Sequence, residues 1–587
     1  MSFLRWICAA ALVVALTREV EAQTNVTTTG MTSGQCVVAS GAHTVVGQNQ
    51  PCTSAPATYR LFTDPPYNGS PSNTAAQNDT AAAQVTTDCN SGGLQGLLIP
   101  AGSYQFSTNN PFNLSTPKNP GCNIGGVGPA TVLVGSLSGS VGTWFTADGG
   151  TGGPVQKCAF HDLTLQWNNT QSAGQPALVF GNASDCADYN LAWVNASEFA
   201  QFGTSTEEAT RIRSSGWTNN FNNGGNESCN IDIQWATGLR FRDANLNGGV
   251  VSDTNTTGAW ICIGVNSPSG GIVDTVEFDS WSMQSGTTHG KPYGINISCA
   301  NVNVNNLSFS DDIFDATSLY GVYVGCPSTG AGYVHVQTWI GNRITPTTGA
   351  AVVYDVNNGL SAERIGWANN HLFTFDGSIP FQILAAHDGG TTSYTNDVWT
   401  GGDLTDNGTS TTAAVAIGAN GWSFSNPRVG RVGGLSTGFQ NVYDVTNSAI
   451  IDLMIGPTGF APGISAQNFI TEPTYATVGA QRRQIWRPRS ARTVSSGTTD
   501  TATVADSAIR WNSSTSGSKT ETLFACSAAL DGISLPIIDE KGDAGSNTIA
   551  LSSSSGTING LTSFPLDVND GAVTLICDGN TDNWTVH

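Results

Sequence analysis

The densest run of carboxylates in this chain is Ser310-Asp311-Asp312-Ile313-Phe314-Asp315, and a short way upstream stand Asp274, Glu277 and Asp279. Paired carboxyl groups break glycosidic bonds. One protonates the leaving oxygen while the other acts as nucleophile at about 5 Å or as base toward water at about 6.5–9.5 Å. Neighbouring strands stand about 4.8 Å apart, so acids on adjacent strands, or two across a turn, meet either requirement. Asp311, Asp312, Asp315, Glu277 and Asp279 are therefore the candidate catalytic residues. The same Asp run offers hard oxygen ligands of the kind calcium takes; no other cofactor or metal is expected. A plainer role competes with these. Asp and Asn side chains bond local backbone in turns, and Arg240 with Glu277 or Arg242 with Asp279 would form surface ion pairs worth about 0–1 kcal/mol.

What must position these groups is a ladder of short alternating strands, each followed by Gly, Asn or Asp turns. Their centres align at Leu163, Leu191, Leu239, Val276, Leu307, Val334, Ile365, Val398, Trp422 and Ile451. The spacing is irregular but falls within the range of about 20–50 residues that marks repeat architectures, and the wider gap before Leu239 implies a loop insertion. Residues two apart share a face. Val276 and Phe278 should therefore stack over Leu307 and Phe309, and these over Val334 and Val336, as the core. The opposite face carries Arg240 and Arg242, then Glu277, Asp279 and Trp281, then Ser308, Ser310 and Asp312, then His335 and Gln337. Such a strip of charge, amide and indole suits a sugar platform. Of the recurring tryptophans, Trp367 and Trp422 pattern as core, whereas Trp281 is the outward candidate for stacking on a sugar ring. Trp281, His289, His335 and Arg343 are the candidate substrate-binding residues.

The stretch Asn78–Val134 carries a resemblance. An Ala-rich helix opens behind an Asp79 N-cap, a Ser91-Gly92-Gly93 turn follows, and Leu97-Leu98-Ile99 leads through Pro100-Ala101-Gly102 to a second strand at Tyr104 and Phe106. Ile124-Gly125-Gly126-Val127-Gly128 then precedes the apolar strand Thr131 to Val134. This order resembles the N-terminal cap and first coils of the pectate-lyase-like superfamily, which includes polygalacturonases and phage tailspikes. The resemblance implies an all-β chain built as a right-handed single-stranded parallel β-helix, with a polysaccharide or cell-surface glycan as partner. Asp311-Asp312 resembles the adjacent Asp pair of polygalacturonases and Arg343-Ile344 the start of their last motif. The Gly-His-Gly between them is missing here, and His289-Gly290 comes too early. Pectate lyases combine calcium with a basic residue, a role open to Arg343 or Arg364.

The chain ends differ from this body. Residues 1–22 read as a signal peptide, 23–70 as an N-terminal extension, 71–470 as the β-helix and 471–492 as an Arg-rich linker. Residues 493–587, with short strands around Trp511, Leu523, Ile537, Ile549, Ile558, Leu575 and Trp584, read as a small β-sandwich-like domain resembling the C-terminal modules of phage tail fibres. Charged residues are only 11% of the chain and the net charge is -21, which argues against nucleic acid or anionic membrane as partners. No segment beyond the leader is apolar enough to span a bilayer. Of 13 cysteines, Cys8 leaves with the leader, and an even exported set without C-x-x-C pairs reads as disulfides between sequence neighbours. These features fit a secreted or virion-surface polysaccharide hydrolase, the C-terminal module attaching it or making a homotrimer. The alternatives are a calcium-dependent lyase and a non-catalytic adhesin or structural spike.

Overall fold

The computed structural model describes the strands 35–39 and 45–51 and, from residue 59 to 587, all but short stretches. The longest of these are 222–228, 249–257, 285–291, 385–392, 432–440, 461–467 and 472–481. His289, the expected leader 1–22 and Cys52 lie outside the described residues, as does the side chain of Cys36. The chain is a right-handed parallel β-helix of about 12 turns followed by a C-terminal sheet domain. Each turn has three sides. A continuous 29-stranded sheet supplies two of them and a 13-stranded sheet the third.

The opening helix spans Ala75–Ser91 and buries Ala81, Ala82, Val85 and Cys89. Its cap is Thr74, not Asp79. Thr74 and Gln77 each accept a hydrogen bond from the other's backbone N–H, a reciprocal arrangement that satisfies two free donors. Asp79 sits inside the helix, where its carboxylate accepts from Ser107 N at 3.1 and 3.2 Å and so ties the helix to the first coils.

The two sides of the long sheet meet at a bend whose corner residue is left-handed in successive turns: Asp162, Asn190, Gly216, Asp243, Ser280, Asp311, Gly341, Asn369, Gly401 and Asn426. Gly, Asn and Asp dominate the column because they enter that region at least cost. The core runs inside as a column of parallel rings. Phe241 stacks on Phe278 at 4.4 Å, Phe278 on Phe309 at 5.1 Å, Phe309 on Trp339 at 4.0 Å and Trp339 on Trp367 at 4.6 Å.

Val276 and Phe278 do lie over Leu307 and Phe309. The next turn differs from expectation, because Gln337 and Trp339 take the places assigned to Val334 and Val336. Val334 pairs with Val304 instead, and Val336 is itself left-handed at φ 52°. One such residue inside a strand interrupts strict alternation, so counting by twos slips beyond it. The wide gap before Leu239 is a whole turn, built from Ala209–Thr210, Arg213–Ser215 and Thr218–Phe221, rather than a loop.

Disulfides join Cys89–Cys122, Cys158–Cys186, Cys229–Cys262, Cys299–Cys326 and Cys526–Cys577, each a pairing of sequence neighbours. The C-terminal domain has a six-stranded and a four-stranded sheet. Its first strands alternate between the two sheets and pair in parallel, so it begins as a two-sided coil. It closes with antiparallel strands around Trp511 and Trp584.

Candidate functional site

The side preceding the corner presents two outward columns in register. One reads Ala159, Ala187, Arg213, Arg240, Glu277, Ser308 and Thr338; the other reads His161, Tyr189, Ser215, Arg242, Asp279, Ser310 and Ile340. Glu277 and Asp279 are therefore side by side on a solvent-facing wall. Arg240 Nε lies 3.2 Å from Glu277 Oε2 as an ion pair, Arg242 Nη2 donates to Oε1 at 3.0 Å, and Arg242 Nε lies 3.8 Å from Asp279 Oδ2. Ser310 Oγ donates to Asp279 Oδ1 at 3.3 Å. Residues i and i+2 of a strand are about 6.6 Å apart along the chain, which falls in the separation that inversion requires.

Asp312 and Trp281 belong to the interior. Both follow a left-handed corner residue, which turns the next side chain inward, and their exposures are 0% and 1%. Asp312 ends a buried amide ladder. Its Oδ1 accepts from Trp281 N at 2.8 Å, its N–H donates to Asn342 Oδ1 at 3.0 Å, and Asn342 Nδ2 donates to Phe309 O at 3.0 Å and to Asn370 Oδ1 at 2.9 Å. Burial pushes the Asp312 carboxyl up to about 8. Asp188, also inside, is raised to about 7 by burial although Ser214 and Trp217 donate to it. The expectation of an outward Trp281 is thus corrected, and a polymer cannot reach Asp312.

The remaining acids are dispersed. Asp311 is exposed at the corner. Asp315 lies beyond it on the second side, with Arg343 Nη2 at 3.8 Å. His335 stacks on Tyr333 at 4.1 Å, on the strand portion before the left-handed Val336. With Asp311 outside, Asp312 inside and Asp315 around the bend, the Asp run does not make a calcium cage. Among the described residues no three His, Cys, Asp or Glu side chains are placed to hold a metal ion, and no helix is long and apolar enough to cross a membrane.

Sequence reasoning missed the neighbouring turns. His161 and Tyr189 stack at 4.4 Å on the same wall. The His161 ring fits because Gly125 lies opposite, where a Cβ would meet it at 2.2 Å. Next to this pair a cleft of about 380 Å³ is lined by Asp185, Arg211, Arg213, Gly238, Arg240 and Thr275. Arg-x-Arg in both Arg211–Arg213 and Arg240–Arg242, in a chain with only 22 basic residues, was the available signal.

No protein-family model matches the chain, and no curated protein matches it. Among solved structures it is similar to the tailspike protein of E. coli bacteriophage HK620 in complex with a pentasaccharide, at 10% identity and TM-score 0.48, over 83% of this chain and 78% of that one. Bacteriophage CBA120 tailspike protein 3 is similar at 10% identity and TM-score 0.46, over 82% and 70%. The Azotobacter vinelandii mannuronan C-5 epimerase AlgE6 A-module is similar at 13% identity and TM-score 0.36, over 66% and 95%. These likenesses concern the fold alone.

Proposed function

We propose that this chain is an exported or virion-surface protein that engages a polysaccharide along the wall before the corner and cuts it with Glu277 and Asp279. Supporting this is one observation: two solvent-facing carboxylates stand side by side on a flat wall that also offers arginine, serine and a stacked aromatic pair. Glu277, between two guanidinium groups, takes the role of base toward water, and Asp279, beside hydroxyls, that of proton donor. His335, Arg343, Asp311 and Asp315 flank this wall as secondary contacts, and the C-terminal domain serves attachment or trimer formation.

A binding-only reading draws on a different observation. The carboxyl groups that burial drives upward, Asp188 and Asp312, lie inside the coil, whereas a general acid normally gains its proton from such burial at the reacting face. Incubation with a panel of polysaccharides and an assay for new reducing ends separates the two. We expect chain shortening that falls by about 10²-fold or more in Glu277→Gln or Asp279→Asn, the usual scale for losing an acid or base. Retention of a glycan without new ends leaves the adhesin reading. Full activity in both variants removes Glu277 and Asp279 from the mechanism.

A further inference from the structure

We propose that the cleft centred on Arg213 is an oxyanion subsite that takes the carboxylate of an acidic sugar unit, with the sugar ring lying toward Tyr189. Arg213 and Arg240 stand directly opposite one another on adjacent turns, an arrangement of like charges that is destabilising unless something neutralises it. Arg240 has Glu277 at 3.2 Å. Arg211 is held by Asp185 through Nε at 2.6 Å and Nη2 at 2.8 Å. Arg213 is exposed and has no carboxylate partner among the described residues. The turn below offers it only Ala187 in register, and Gly238, left-handed at φ 76°, leaves the floor without a side chain.

The result is a cleft of about 380 Å³ with a guanidinium at its rim, in a protein whose net charge of -21 otherwise repels anions. A planar guanidinium pairs a carboxylate through two parallel hydrogen bonds. Tyr189, one turn back and one column across, supplies an aromatic face suited to a pyranose ring.

This inference rests on the glycan reading for the carrier of the charge, and the experiment keeps the two apart. Calorimetry on the full chain would compare an oligosaccharide containing glucuronic acid with the same compound after its carboxyl is reduced to hydroxymethyl. The acidic compound should bind at least about tenfold tighter, with the advantage shrinking as salt rises. Arg213→Gln should abolish the advantage and Arg213→Lys keep part of it. Glu277→Gln should increase it, since Arg240 then loses its internal carboxylate. Equal binding of both compounds discards the anion subsite and leaves glycan binding standing. An advantage that survives in Arg213→Gln also discards it, and binding of neither compound removes both readings.

Discussion

Glu277 meets two guanidinium groups in solvent while Asp312 meets only backbone and amide groups in the dark of the coil, so the same functional group serves opposite purposes one turn apart. For Asp312 the consequence is a pH dependence of stability. Burial raises its folded value to about 8 from the ordinary 3.8; between those values the native state holds a proton that the unfolded chain has released. Stability from this group is therefore greatest in acid and declines as pH rises through the window of about 4 to 8. Asp188 and Glu521, raised by burial to about 7 and about 8, act with the same sign. In Asp312→Asn the new amide can donate to Phe278 O as Asn342 does to Phe309 O one turn on. Melting curves should show the variant more stable than the parent at pH 9, with little difference at pH 5. A parent that gains stability between pH 5 and 9 would contradict this.

At the scale of the single turn, the ladder and the ring column work together. Asn342 accepts from Asp312 N–H and donates to Phe309 O, so Asn342→Leu leaves a buried donor and a buried acceptor without partners, at about 1–3 kcal/mol each. Trp339→Ala opens a cavity between Phe309 and Trp367, for which about 3–5 kcal/mol is typical. Guanidinium unfolding should register both losses, and a midpoint unchanged in Asn342→Leu would remove the ladder from the fold's support. These turns also mark how far the sequence could be read. Phe278 over Phe309 was legible because alternation holds between a strand's kink and its corner. Trp281 and Asp312 were not, since Ser280 and Asp311 are left-handed and each reverses the inward–outward sense of the residue after it. The wall of Glu277, Asp279, Arg240 and Arg242 was legible for the same reason as the core. The cleft of Arg211 and Arg213 was not, because the turn that carries them looked like a loop insertion.

For the whole molecule, repetition decides the architecture. Low charge and abundant Gly, Ser and Asn announced a coil whose turns need those residues, and the neighbour-to-neighbour disulfides followed from the same repeat. The C-terminal domain is built of two sheets, as expected, but its strand order was harder to anticipate. Its parallel strands pass alternately between two sheets, and evenly spaced strands look alike in a sandwich and in a two-sided coil. Reduction of the disulfides should therefore lower the melting temperature of both parts, because Cys526–Cys577 lies in the second; loss confined to the first part would show that the last bridge adds nothing.

The bridges are unevenly distributed. Those of the β-helix end at Cys326, and no cysteine follows before Cys526. Hydrogen bonds between turns run along the axis, so a pull on the two ends loads them in series, and the covalent clips close separate loops in the leading half alone. Under tension in an optical trap the trailing coils, from Val334 to Ile455, should unzip one at a time, as should the leading turns that carry Arg213 and Glu277, which lie between bridges, while the loops closed at Cys158–Cys186, Cys229–Cys262 and Cys299–Cys326 stay short until the clips are cut. A molecule fixed by one end and dragged by a polymer held on its wall would thus lengthen through its whole trailing half but only between the clips of its leading half.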